Sequence, residues 1–149
     1  MAGAGFSFTT RYRGMSRVLM NKVAIESIGL NSINKEMKWE AIWDTGATSS
    51  VITKKVIQEL NLKPVSVGKA LTPQGEYYPY CYYIDLTLPN RVTVKNLLVM
   101  EGQPACCDIL IGMDVISQGD FAVTNHNGKT TFSFRMPSMS EIDFINYNK

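Results

Sequence analysis

Short apolar runs, separated by residues that favour turns, dominate the pattern of hydrophobic and polar positions along the chain. Strand-like patterns occupy residues 17–30, 38–43, 82–88, 91–100 and 108–112. In residues 38–43 polar and apolar residues alternate before the final apolar pair, Ile42 and Trp43. Many short strands joined by tight turns predict a mainly-β single domain, closed into a barrel, with one or two short helices.

Two segments have helical rather than strand patterns. The first helix is expected between Thr53, a candidate N-cap, and Pro64, which cannot continue a helix. Its apolar face would consist of Val56, Ile57 and Leu60. A further helical turn is expected over residues 113–119, closed by Gly119.

Two hairpins are predicted from turn chemistry. Pro73-Gln74-Gly75 separates two strand-like runs within residues 65–90, and Asn127-Gly128 is a favoured two-residue turn pair within residues 121–134. Tyr82 shares one face of its strand with the apolar residues at 84, 86 and 88, so we expect it to pack on the barrel.

Length and charge limit the possible partners. A chain of 149 residues suggests one domain, and a net charge of +2 with scattered basic residues gives no reason to expect nucleic acid. Three arginines lie near the N-terminus, where we expect residues 1–16 to form a flexible or dimer-pairing arm. The sequence contains neither a long apolar run nor a signal-peptide pattern, so we expect no membrane contact and a cytoplasmic protein.

Cysteine and histidine usage argues against a metal or disulfide framework. Cys81, Cys106 and Cys107 are odd in number and include an adjacent pair, which favours free thiols. The single histidine, His126, falls in a predicted turn, so neither a metal site nor a His-activated nucleophile is expected. We therefore expect no cofactor and no metal.

The candidate chemistry lies in the stretch Trp43-Asp44-Thr45-Gly46. A carboxylate that follows an apolar strand is costly to bury without a partner, and the Thr45 hydroxyl and the Gly46 N–H could supply hydrogen bonds. A capped turn would explain the same three residues, because Asp-Thr-Gly alone is a weak signal.

The order of motifs is more specific than any one of them. The first motif is Asp44-Thr45-Gly46-Ala47, which follows an apolar run. A hairpin with its tip near Gly75 comes next, and the last is segment 108–114, with its apolar pair and Gly112. Together they resemble the retroviral-like aspartic proteases, or retropepsins, particularly those of bacteria and mobile elements. The resemblance covers about residues 20–136 and places the protease domain at 17–136.

The resemblance implies a homodimeric aspartic endopeptidase that hydrolyses peptide or protein substrates. Such enzymes use two carboxylates that share one proton, but this chain has a single Asp-Thr-Gly, so Asp44 would meet the Asp44 of a second chain. Thr45 would hold the two loops together and Gly46 would donate its N–H to the carboxylate. Substrate-binding residues would be Ala47, Thr48, Gly75, Tyr77, Tyr78, Ile111 and Gly112.

This chain departs from the viral pattern at two positions, and a third differs from the pepsin-like enzymes. Thr48 and Met113 replace the acid and the arginine that pair in the viral enzymes, so that salt bridge cannot form. Ala47 has no hydroxyl to donate to the carboxylate, as a serine does in pepsin-like enzymes, and we expect a pH optimum nearer about 6 than 3. The alternative is a weakly active or inactive peptide-binding or dimerisation module of the same fold.

The termini are the candidate dimer interface, since family members interleave them in a shared sheet. The tail at 137–149 contains Ile142, Phe144 and Ile145, which are unusual residues to leave in water. We expect either terminus to take part in dimerisation, or the tail to be disordered.

Overall fold

The structure is a computed structural model that describes residues 6–146. In chain order the elements are β1 (Ser7–Arg11), β2 (Met20–Ser27), β3 (Trp39–Trp43), β4 (Val51–Ile52), α1 (Lys54–Glu59), β5 (Ser66–Val67), β6 (Ala70–Thr72), β7 (Gly75–Tyr77), β8 (Tyr80–Thr87), β9 (Thr93–Glu101), β10 (Ile109–Ile111), α2 (Met113–Ile116), β11 (Asp120–Thr124) and β12 (Thr131–Arg135). The predicted mainly-β class with two short helices is confirmed.

Six strands close into a barrel in the order β2-β3-β10-β4-β9-β8, because β8 pairs again with β2. The barrel interior is filled by fully buried apolar side chains, including Trp39, Ile52, Ile84, Leu86, Val99, Ile109 and Ile111. Burial of this apolar surface is the main force that closes the sheet. Tyr82 is buried with these residues, as its strand face predicts.

A second sheet, here called the outer sheet, has the order β1-β12-β11 and packs against the barrel. Its inner face is aromatic: Phe8, Phe121, Phe132 and Phe134 all contact Trp43, the last residue of β3. This cluster fixes the outer sheet beside the strand that leads to Asp44.

The N-terminal segment, predicted to be a flexible or dimer-pairing arm, contains a strand. Residues 7–11 form β1, which pairs antiparallel with residues 131–135 of the same chain. The ordered fold therefore begins before residue 17. Residues 1–5 of the predicted arm and 147–149 of the predicted tail lie outside the described residues.

The predicted helices are present, but one cap differs in its chemistry. Thr53 is the N-cap of α1, yet its hydroxyl makes no capping bond and has no hydrogen-bond partner within residues 6–146. After α2 the Gly119 N–H donates to the carbonyl of Ile116 at 3.2 Å, which closes the predicted turn. Among the described helices, none is long and apolar enough to cross a membrane.

The C-terminal hairpin forms with a longer loop than its turn pair suggests. Strands β11 and β12 pair from Thr124 and Thr131 onward, so the loop has the six residues 125–130. Asn127 and Gly128 both adopt positive φ angles, of 52° and 69°, within a 3₁₀ turn at His126–Gly128. The position of the turn was therefore predicted correctly from the local sequence, whereas the length of the loop depended on how the two strands pair.

Candidate active site

Asp44 directly follows β3 and is positioned by the neighbouring strand. Strands β3 and β10 run parallel, with Trp43 opposite Ile111. The Asp44 N–H continues this ladder by donating to the Ile111 carbonyl at 2.9 Å. The backbone of Asp44 is thus fixed by two buried strands, while its side chain is half-exposed.

The Asp44 carboxylate receives a local hydrogen bond. The Gly46 N–H donates to Oδ1 at 2.8 Å. A Cβ at Gly46 would lie 3.1 Å from the same oxygen, which is a tight contact, so glycine permits this approach. Oδ2 accepts no hydrogen bond from residues 6–146, and the neighbouring Thr45 is exposed. Oδ2 and the Thr45 hydroxyl therefore remain available for groups outside this part of the chain.

Residues 44–50, here called the active loop, cross over the end of β10. Strand β10 lies between β3 and β4, so the loop that joins β3 to β4 must pass over Gly112. A Cβ at Gly112 would lie 2.8 Å from the backbone carbon of Ser49 and 2.9 Å from the Ala47 oxygen. Ile111 and Gly112 are buried beneath the loop; they support it rather than line the cleft described below.

A hydrogen-bonded pair that the sequence analysis missed secures the far end of the active loop. Asp114, in α2, accepts the Ser50 N–H at 2.8 Å and the Ser50 hydroxyl at 2.7 Å. The Ser50 oxygen in turn accepts the Gly112 N–H at 3.1 Å. The sequence shows a serine at the end of the loop and an acid in the first turn of a predicted helix, and both residue types commonly form hydrogen bonds. Their pairing across 64 residues was not.

Two further backbone bonds connect the active loop to α2. The Met113 N–H donates to the Ala47 carbonyl at 2.8 Å, and the Asp114 N–H donates to the Thr48 carbonyl at 3.2 Å. The Thr48 and Met113 side chains are exposed, in agreement with the absence of the viral acid–arginine pair. Backbone bonds and the Ser50–Asp114 pair therefore hold the loop in this chain.

The predicted flap is a two-stranded hairpin of β6 and β7, with Pro73 and Gln74 at its tip. Gly75 has a φ of +123°, which an L-amino acid with a side chain rarely adopts. An ion pair between Lys69 and Glu76 at 2.7 Å joins the two arms. The flap residues, including Gly75 next to the tip, are mostly exposed.

A cleft of about 420 Å³ separates the active loop from the flap. Its lining includes Ala47, Thr48 and Val51 on the loop side, Leu71 and Tyr77 on the flap side, and Met100 of β9. Of the residues proposed to bind substrate, the fold brings Ala47, Thr48 and Tyr77 together here. Tyr78 instead lines a separate cavity of about 400 Å³ at the base of the flap, with Lys54 and Glu101.

The other chemically reactive side chains lie apart from the active loop. Cys81 is buried, Cys106 is exposed, and His126 is exposed in its 3₁₀ turn. Burial raises the pKa of the Cys107 thiol above its usual value, which leaves it a poor nucleophile. Within residues 6–146 no cluster of three or more His, Cys, Asp or Glu side chains could hold a metal ion.

The sequence matches a protein-family model over residues 30–118, and that model is described as "gag-polyprotein putative aspartyl protease". The chain belongs to this family of gag-polyprotein aspartyl proteases. The match spans the active loop, the flap, β10 and α2. It does not include β1, β11 or β12, the three strands of the outer sheet.

Solved structures show the same fold. A retropepsin-like aspartic protease from Rickettsia conorii superposes with a TM-score of 0.52 at 14% identity, over 87% of this chain and 94% of that one. The EIAV protease in complex with the inhibitor HBY-793 gives a TM-score of 0.53 at 15% identity, over 69% of this chain and 88% of that one. No curated protein sequence matches this chain.

Proposed function

We propose that this protein is a homodimeric aspartic endopeptidase in which Asp44 supplies half of the catalytic pair. One observation carries the proposal: a carboxylate at the end of a buried strand is held at Oδ1 by the Gly46 N–H, beside a cleft covered by a flap. A capped turn would explain the hydrogen bond, but it would not explain the cleft and flap next to it.

The chemistry requires a second carboxylate. One carboxylate removes a proton from a water molecule as the water oxygen bonds to the scissile carbonyl carbon. The protonated partner carboxyl donates its proton to the carbonyl oxygen. The C–N bond then breaks as the first acid gives the proton taken from water to the amine nitrogen, and the hydroxyl formed from the carbonyl oxygen returns its proton to the second carboxylate. Two acids that share one proton behave as a coupled pair, a pattern that the aspartic proteases exemplify.

Other acids next to small residues in this chain are already engaged. Ser50 binds both oxygens of Asp114, and Arg135 pairs with Asp120 at 2.6 Å. A two-fold axis that relates two copies of the chain would supply an identical carboxylate from the second copy. Thr45, exposed beside this position, would then bond across the axis and hold the two active loops together.

The cleft and flap suggest how a peptide would bind. A peptide in the cleft would contact Ala47 and Thr48 on one side and the Tyr77 ring on the other. The exposed tip at Gly75 would close over it and exclude water, and Tyr78 would contact residues further along the peptide. Ile111 and Gly112 would act indirectly, by supporting the active loop.

Replacement of Asp44 by asparagine tests the activity. The D44N variant should remain a folded dimer and lose peptide cleavage by at least about a thousandfold, because asparagine cannot act as the base. Glu40→Gln is the matched control. Glu40 lies on β3, the strand that leads to Asp44, and its ion pair with Lys22 is long at 3.8 Å. The variant should cleave peptides at close to the wild-type rate. Wild-type dimers that cleave no peptide between pH 3 and 8 would instead establish a binding module.

A further inference from the structure

Exposed tyrosines are concentrated at the base of the flap. The segment Tyr77-Tyr78-Pro79-Tyr80 joins β7 to β8, and its three tyrosines leave 38%, 64% and 56% of their surface in contact with water. Scattered apolar side chains on a surface need no explanation, whereas a group of neighbouring exposed rings is typical of a binding surface. The cleft accounts for Tyr77 alone, because Tyr78 and Tyr80 do not border it.

These three rings line the cavity of about 400 Å³ at the base of the flap, here called the flap-base cavity. The rest of its lining includes Glu101 and Gly102, at the end of β9, and Lys54, the first residue of α1. A Cβ at Gly102 would lie 4.0 Å from the Tyr77 hydroxyl, so the flap approaches the end of β9 closely. Tyr77 lines both the cleft and this cavity. A peptide bound in the cleft can therefore continue past Tyr77 to the cavity.

Glu101 has one carboxylate oxygen that accepts no hydrogen bond from residues 6–146. The Tyr82 hydroxyl donates to Oε2 at 3.2 Å, which holds the carboxylate in place. Oε1 lies 3.9 Å from the Lys54 ammonium, a distance too long for a hydrogen bond. The Glu101 side chain is only 21% exposed, so water solvates its charge poorly. Oε1 is thus an acceptor available to a donor that enters the cavity.

Lys54 leaves room for another cation at Glu101. Its side chain is 65% exposed, so its ammonium can stay in water when a second cation approaches the carboxylate. An ammonium is compact and strongly hydrated, whereas a guanidinium is planar, more weakly hydrated and stacks on aromatic rings. A cavity that combines tyrosine rings with a carboxylate therefore suits an arginine side chain better than the chain's own lysine.

The lining disfavours other classes of ligand. An anion would lie beside the Glu101 carboxylate and the negative faces of the tyrosine rings, which would repel it. An apolar group would cover the free Glu101 oxygen without giving it a donor. A cation meets both requirements, because it pairs with the carboxylate and is attracted to the ring faces.

We propose that the flap-base cavity binds a basic side chain of the peptide substrate, with arginine preferred over lysine. The guanidinium donates to Glu101 Oε1 and stacks on the rings of Tyr78 and Tyr80, while Tyr82 positions the carboxylate. The Tyr78 hydroxyl donates to Glu76 Oε2 at 3.2 Å, which holds the Tyr78 ring beside the flap. This inference rests on the proposed function, since the peptide in the cleft carries the side chain, and it adds a charge selectivity to that function.

Binding of a single side chain tests the cavity without requiring catalysis. N-acetylarginine methylamide should shift the ring resonances of Tyr78 and Tyr80 in NMR spectra more than N-acetylcitrulline methylamide, which has a similar shape without the charge. In Glu101→Gln, which keeps the size of the side chain, the affinity for the arginine probe should fall about tenfold. Glu59→Gln, on α1 but outside the cavity, should bind the probe like wild type. Equal shifts with both probes, or none with either, would overturn the proposal.

Peptide selection tests whether the cavity sets specificity. In a randomised peptide mixture the cleaved products should be enriched in arginine at one position relative to the cleaved bond. Citrulline at that position should raise KM about tenfold with kcat unchanged, because the contact is made equally in the ground state and the transition state. Glu101→Gln and Tyr78→Leu should bring the KM of the arginine peptide close to that of the citrulline peptide. Glu59→Gln and Tyr83→Leu, both outside the cavity, should keep the difference. An active enzyme with no preference for arginine at any position would overturn the proposal.

The two proposals fail in different ways. A protein that cleaves no peptide but binds the arginine probe through Glu101 would refute the protease and support the cavity as a binding site for cations. An active protease that neither prefers arginine nor binds the probe would refute the cavity and leave the protease intact.

Discussion

Asp114 accepts two hydrogen bonds from Ser50, one from its N–H at 2.8 Å and one from its hydroxyl at 2.7 Å. Ser50 is fully buried, and its oxygen also accepts the Gly112 N–H. One serine thus joins the active loop, the end of β10 and the first turn of α2. In this chain the pair provides side-chain support for the loop where the viral enzymes have an acid and an arginine.

Ser50→Ala should destabilise the fold and the site together. The substitution leaves the buried Gly112 N–H without its acceptor and removes one of the two donors to Asp114 Oδ1, at a cost of about 2 kcal/mol in the free energy of unfolding. Urea denaturation would measure the loss, and kcat/KM should fall because the active loop is less well held. Ser66→Ala, at an exposed position, should change neither quantity. Equal stability of the two variants would show that the pair has no structural role.

Gly112→Ala should be strongly destabilising. Its Cβ would lie within 2.9 Å of backbone atoms of Ser49 and Ala47, which cannot move without displacing the active loop. We expect a loss of about 3 kcal/mol, measured by denaturant unfolding. Gly14→Ala is the control, because a Cβ there meets no atom within 4 Å. A Gly112→Ala protein as stable and active as the control would contradict the close packing described for this loop.

Tyr77→Ala should weaken catalysis rather than folding. The ring is 38% exposed and lines the cleft, so a bound peptide would cover it. Loss of that contact, about 1.5–3 kcal/mol, corresponds to a fall in kcat/KM of roughly tenfold to a hundredfold. Tyr83→Ala removes a ring of similar exposure, 40%, that does not line the cleft. If both variants lost activity equally, Tyr77 would have no specific contact with substrate.

Ala47→Ser should shift the pH dependence of cleavage. A hydroxyl next to the carboxylate could donate a hydrogen bond that favours the ionised form, so the acidic limb of the kcat/KM profile should move to lower pH. Ala105→Ser, on the exposed segment before β10, should leave the profile unchanged. A wild-type optimum in strong acid, or an unchanged limb in the Ala47 variant, would contradict this reasoning.

Asp120 should make stability depend on pH. Hydrogen bonds from the Ser138 hydroxyl and the Met139 N–H, together with the Arg135 guanidinium, hold the pKa of Asp120 well below its usual range. The stabilisation is therefore complete above about pH 4 and is lost as the pH falls through the lower folded value. Asp120→Asn should lower the melting temperature at pH 6, and the difference from wild type should shrink below pH 3. A difference that stays constant with pH would show that the charge contributes nothing.

Local patterns were sufficient for the elements and for the candidate loop. Alternation with a period of two predicted the buried face of β8, Thr53 marked the start of α1, and Gly75 marked the flap tip. These features depend on residues close together in sequence, whose conformational preferences act locally. The order of Asp44, the flap and Gly112 then indicated the family.

Only the tertiary structure decided which distant residues meet. Ser50 reaches Asp114, and β1 pairs with β12, because barrel closure and strand register bring these segments together. A single sequence does not encode such pairings in any local pattern. The same long-range packing placed Gly112 under the active loop. The sequence by itself determined the secondary-structure elements and the Asp-Thr-Gly loop; the fold decided which distant residues hold that loop in place, because strand pairing and packing bring them together.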